Sequence, residues 1–194
     1  MRKDVANWMF LAILLITQIC AAVFYGIFNN ATIGPGGEDS LAVEVFQSGY
    51  PWFQDVHVMV FVGMGFLLAF MAHFQVAALS QAFWIAALTL QYYFLWQPLW
   101  TGAWRSYGRF YINTASMVQA EFCAFAMLIA FGAVVGKVNN LQMIIAVIIF
   151  VILYTLNKQI IFDSTNLTDV GGSIYVFEFG GFFVQLVTAG NDTT

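Results

Sequence analysis

Four ionisable residues stand within or at the entrance of otherwise apolar runs: Glu121, Lys158, Asp169 and Glu178. The last two share one stretch, Asp169 to Leu186, read DVGGSIYVFEFGGFFVQL. Burying a charge in an apolar segment is costly, so such groups are candidates for binding or relaying a cation or a proton. Each also has a plainer reading. Asp169 precedes Gly-Gly-Ser, where a carboxylate can cap exposed N–H groups and meet the positive end of a helix. Glu121, followed by Phe122, is either an entrance acid beside a blocking ring or an acid held near an interface next to an ordinary apolar residue. Glu178, flanked by Phe177 and Phe179, either pairs with Lys158 or stays protonated and hydrogen-bonded to a neighbouring helix.

Other chemistries find little support. His57 and His73 have no CxxC or HExxH around them, and Cys20 and Cys123 sit in apolar runs as small hydrophobes. The expectation is therefore no metal, no cofactor and no enzyme, because no nucleophile–base pair or metal constellation can be assembled. Six Lys and Arg in 194 residues, scattered singly in a chain of net charge −4, argue against nucleic acid as a partner.

The elements that must hold these groups are membrane helices. The chain is 61% hydrophobic and 8% charged, against roughly 25% charged residues in a soluble domain. Apolar runs of about 20 residues recur along its length, which is the transmembrane-helix signal, and they are continuous rather than alternating, which disfavours a β-barrel. The sequence predicts an all-α transmembrane fold in one membrane domain. Its six spans fall near 8–28, 53–74, 78–96, 115–136, 141–162 and 171–188, with residues 29–52 as a polar loop. The first run is expected to remain as a span rather than a removed signal peptide.

Basic residues do not orient the bundle. Arg2, Lys3 and Lys137 on one side balance Arg105, Arg109 and Lys158 on the other. The sequons Asn30-Ala-Thr and Asn166-Leu-Thr outnumber Asn191-Asp-Thr and place the termini in the cytoplasm. Glu38, Asp39, Glu44, Asp55, Asp163 and Asp169 then face the outside, where they would concentrate cations or are simply solvated. Packing sites are expected where small residues recur. Gly132 and Gly136 have the GxxxG spacing that puts two glycines on one helical face. Gly171-Gly172 and Gly180-Gly181 offer close approach, and Gly63 and Gly65 could serve similarly.

Tyr50-Pro51 with FQDVHVMVFVG, then EFCAFAMLIAFGAVVGKV from Glu121 to Val138, then DVGGS from Asp169 to Ser173, closely resemble the Rh branch of the ammonium transporter family. The resemblance covers all six spans. It implies a homotrimer of helical channels, each with a narrow pore between two inverted halves of about five helices. Span one looks like the extra N-terminal helix of many Rh members, and spans two to six like the first half. By position, Phe122 matches an aromatic that gates the outer pore mouth. Glu121 replaces an outer Asp, and Asp169 matches the helix-start acid. Two positions depart from the pattern: Phe177 stands where the first pore histidine is expected, and Lys158, in Asn157-Lys158, where an outer acid is expected.

The resemblance ends with span six, so the second half of the pore wall is expected to come from elsewhere or to be lacking. Two functions follow. One is a non-conducting structural or accessory subunit of a larger assembly, its open face covered by other membrane subunits. The other is an ammonium or ammonia channel built from half-chains or represented here by a fragment. The resemblance places either in the plasma membrane, with an organellar membrane open.

Overall fold

The computed structural model describes residues 3–28, 39–70, 73, 75–102, 112–161, 165 and 169–189. Among them every regular element is helical. Helix α1 is Lys3–Phe28. Helix α2 is Asp39–Val58, continued by a π-helical turn Met59–Met64, a short turn Gly65–Leu67 and a 3-10 turn Leu68–Phe70. Helices α3, α4 and α5 are Gln75–Trp100, Thr114–Val134 and Asn140–Gln159. Helix α6 begins with a 3-10 turn Val170–Gly172, passes through a π-helical segment Ser173–Glu178 and ends as Phe179–Ala189.

Four of these helices contain segments long and apolar enough to cross a membrane: Asn7–Phe28, Gly49–Phe70, Thr114–Val134 and Asn140–Gln159. Ser173–Leu186 is a shorter apolar helix. Helix α3 has 26 residues, but Gln75, Gln81, Gln91 and Gln97 dilute its hydropathy. The chain is thus an all-helical integral membrane protein.

Two expectations fail. The presumed loop 29–52 contains the start of α2, with Pro51 inside the helix. Its acids, glycines and proline marked a polar environment, which a helix projecting beyond the apolar core satisfies as well as a loop does. Gly132 and Gly136 also do not share a helical face. Helix α4 stops at Val134, and Gly136 lies past it at φ +78°, a left-handed turn conformation. Gly132 packs within the helix, since a Cβ there would sit 3.4 Å from Leu68 Cδ2. Arg105, Arg109, Trp104, Glu38, Asp163 and the sequon asparagines 30, 166 and 191 lie outside the described residues.

Helix α4 is the centre of the bundle. It carries eleven buried residues, from Thr114 to Phe131, and packs against α2, α3, α5 and α6. Its start is fixed by a reciprocal cap: Ser116 N donates to Asn113 Oδ1 at 2.7 Å, and Asn113 N donates to Ser116 Oγ at 2.9 Å. The buried small residues Ala120, Ala124, Ala126 and Ala130 let neighbouring helices come near, which is how helices associate in lipid. The approach to α6 is tight: a Cβ on Gly180 would lie 2.9 Å from the Ala126 carbonyl oxygen.

Candidate functional site

The caps and packing of α4 present Gln119, Glu121, Phe122 and Phe125 over roughly its first three turns, near the ends of α3 and α5 and the start of α6. Glu121 is 1% exposed and lies seven residues into α4, roughly 10 Å along the axis. Its Oε1 is in close contact with His57 Nδ1 of α2. Its Oε2 is buried with no hydrogen-bond partner among the described residues. His57, whose side chain is 47% exposed, lies against Phe53 and Phe61 with its ring tilted 36° and 34° to theirs, at centroid separations of 5.6 and 4.5 Å. The pairing draws Glu121 into the bundle.

Lys158 of α5 forms the second polar cluster. Its Nζ donates to Gln119 Oε1 at 2.7 Å and to Tyr93 Oη at 2.9 Å, and lies 5.4 Å from the centroid of the Tyr93 ring. These are neutral oxygens on α4 and α3, so Lys158 turns into the bundle, and Glu178 is exposed on α6. At the same end, Trp100 Nε1 donates to Thr155 Oγ1 at 3.1 Å, tying α3 to α5.

Asp169 opens α6. Gly171 and Gly172 take φ +78° and +72°, a left-handed pair that reverses the backbone and that side chains with a Cβ rarely adopt. Across this pair Asp169 Oδ2 accepts from Ile174 N at 2.9 Å and Tyr175 N at 3.1 Å. The carboxylate satisfies two donors the helix start would otherwise leave open. This capping orients the next turn, which carries Val176 inward and Phe177 outward. Val176 is fully buried, whereas Phe177 is 51% exposed and meets the Phe125 ring edge-on at 5.3 Å. Phe122, three residues before Phe125, is half-buried against the core.

The structure thus joins Glu121 to His57, Lys158 to Tyr93 and Gln119, and Phe177 to Phe125. It does not join Lys158 to Glu178. Four of these partners, His57, Tyr93, Gln119 and Phe125, were not foreseen as site residues. For His57 the signal was available, since it sits within FQDVHVMVFVG. Tyr93 and Gln119 lie in ordinary helical sequence, and only helix packing identifies them. Among the described residues, no group of three or more His, Cys, Asp or Glu could hold a metal ion.

A bundle of apolar helices with charged side chains turned inward near one end describes a polytopic membrane protein. Residues 16–190 match the Ammonium Transporter Family, and the chain belongs to that family. Its relatives fall in the Rh branch. It is 34% identical over 183 residues to "Ammonium transporter Rh type B" of Danio rerio, covering 91% of this chain and 39% of the relative. The protein of the same name from Mus musculus is 35% identical over 177 residues, covering 87% and 38%. "Ammonium transporter Rh type B-A" of Xenopus laevis is 36% identical over 186 residues, covering 90% and 40%. The chain therefore spans about two fifths of the length of these relatives.

Proposed function

We propose that this chain is an Rh-type membrane protein whose described helices form a wall that does not pass ammonium, and that it serves as a structural or accessory subunit of a larger membrane assembly. The observation that carries this reading is Phe177. Its half-exposed ring lies edge-on against Phe125 on the open face of α6. At the position where the family pattern places a pore histidine, that face offers hydrocarbon, which neither accepts a hydrogen bond nor exchanges a proton. Lys158 adds to the case, because a positive charge stands where the pattern places an acid. Cations approaching that end of the bundle meet repulsion rather than attraction.

The same face suggests what the chain needs. Ile174, Phe177, Phe182 and Leu186 are exposed along α6 at steps of three, five and four residues, and further helices would cover them, whether from the same polypeptide or from separate subunits. In this reading Phe122 stays an outer-mouth ring and Asp169 sets the start of α6. The assembly is a trimer in the plasma membrane, with no catalytic step assigned to the chain.

The second reading, an ammonium or ammonia channel completed by other helices, is favoured by the retained Phe122 and by the intact Asp169 cap. Proteoliposomes carrying the chain decide between the two in a stopped-flow assay of ammonia-driven internal pH change. The first reading expects rates equal to those of empty liposomes for wild type and Phe122→Ala alike. A wild-type rate well above empty liposomes that changes in Phe122→Ala would overturn it in favour of the channel.

A further inference from the structure

We propose that Tyr93 of α3 and Gln119 of α4 form a binding site for a primary ammonium group, filled in this chain by the side chain of Lys158 of α5. Lys158 stands in the last turn of α5. A long cationic side chain there is free to reach out to the membrane surface, the usual course for a lysine near a helix end. It turns inward instead, and its Nζ donates to Gln119 Oε1 at 2.7 Å and to Tyr93 Oη at 2.9 Å. No carboxylate draws it there. The ion pair found among the described residues is His57 with Glu121, and Glu178 is exposed on α6.

The cradle around Nζ is built of acceptors. An amide oxygen only accepts. The Tyr93 hydroxyl gives its one hydrogen to Gln119 Oε1 at 3.3 Å, which leaves its lone pairs for Nζ. The Tyr93 ring centroid lies 5.4 Å from Nζ, within the ~6 Å over which an aromatic face attracts a cation. Two neutral oxygens and a ring face suit a small cation bearing N–H groups. The walls are held independently of the lysine. Tyr93 is fully buried, its hydroxyl is bonded to α4 through Gln119, and Trp100 Nε1 donates to Thr155 Oγ1 at 3.1 Å, tying α3 to α5. Gln119 is exposed, so the cradle opens at its rim. The plainer role for a lysine in this place is to offset the negative end of α5, which needs no such cradle. The site stands whether or not the chain conducts ammonium, because it involves neither Phe122 nor Phe177.

Lys158→Ala removes the side chain beyond Cβ, an outline that propylammonium matches. The full chain in lipid nanodiscs is melted at increasing propylammonium concentration. The melting temperature of Lys158→Ala should rise saturably, by ~2–4 °C at about five times the dissociation constant. Wild type and Lys158→Met, whose own stems fill the cradle, should not respond. Propanol, which is uncharged, and tetramethylammonium, which has no N–H to donate, should leave Lys158→Ala unchanged. No response of Lys158→Ala to propylammonium would overturn the proposal, and so would an equal response to propanol, the mark of a void filled without recognition. Should that variant fail to insert, Tyr93→Phe takes its place, with acylation of Lys158 read by mass spectrometry against Lys137 as internal standard. Loss of the hydroxyl should free the amine and raise labelling of Lys158 several-fold, and equal labelling in wild type and Tyr93→Phe would count against the site.

Discussion

Helices α1 and α4 are both apolar, and both could cross a bilayer, yet they do opposite jobs. In α4 61% of the membrane-crossing segment is buried, against 6% in α1. Helix α4 is lined with alanines that let its neighbours close in, and it holds its acid inside the bundle. Helix α1 turns Trp8, Leu15, Ile16, Ile19, Val23 and Ile27 outward. It is fastened by side-chain bonds: Gln91 Nε2 donates to Gln18 Oε1 at 2.8 Å, and the Tyr25 hydroxyl donates to the Gln91 carbonyl oxygen. In a bilayer, hydrophobicity alone does not drive helices together, because lipid is as apolar as leucine. Close packing and polar bonds must do it, and the two helices divide those means between them.

The largest expected effect is on the packed helix. Gly180→Val places a branched side chain where even a Cβ lies 2.9 Å from a backbone oxygen, so α6 must move off α4. A loss of about 3 kcal/mol is expected in reversible denaturation in mixed micelles. A change below that of Gly180→Ala would show that the two helices are not locked. Glu121→Ala comes next, at about 2 kcal/mol, from a buried void and a lost bond to His57. His57→Gln in the same assay should cost less, since its position is half exposed.

Lys158→Met is expected to cost only ~0.6 kcal/mol, the usual worth of a polar contact between membrane helices. The Tyr93 hydroxyl and Gln119 Oε1, 3.3 Å apart, remain to satisfy each other. Gln18→Leu should cost about as little in the same denaturation, while markedly raising the susceptibility of α1 to proteolysis. Equal protease resistance in wild type and Gln18→Leu would mean that α1 is held by packing after all, and the contrast with α4 would weaken.

Much of the fold could be read directly because its cause is local. Apolar runs, polar breaks and turn residues lie in the sequence itself, and so does the Asp-Val-Gly-Gly-Ser start of α6. Errors came where polarity and helicity part company, as at Asp39–Pro51, or where spacing was read without knowing the helix end, as at Gly136. The site was legible one residue at a time and illegible as pairs. Glu121 and Lys158 stood out because charge is rare in apolar runs, but their partners are 64 and 39 residues away in sequence.

The sequence by itself determined a helical membrane chain and its family, because residue type and order suffice for these. Only the tertiary structure decided that Glu121 is buried against His57, that Lys158 turns to Tyr93 and Gln119, and that Phe177 faces outward. Those facts depend on which helices touch and at what rotation. In lipid, that is decided by side chains meeting across helices, which no single run contains.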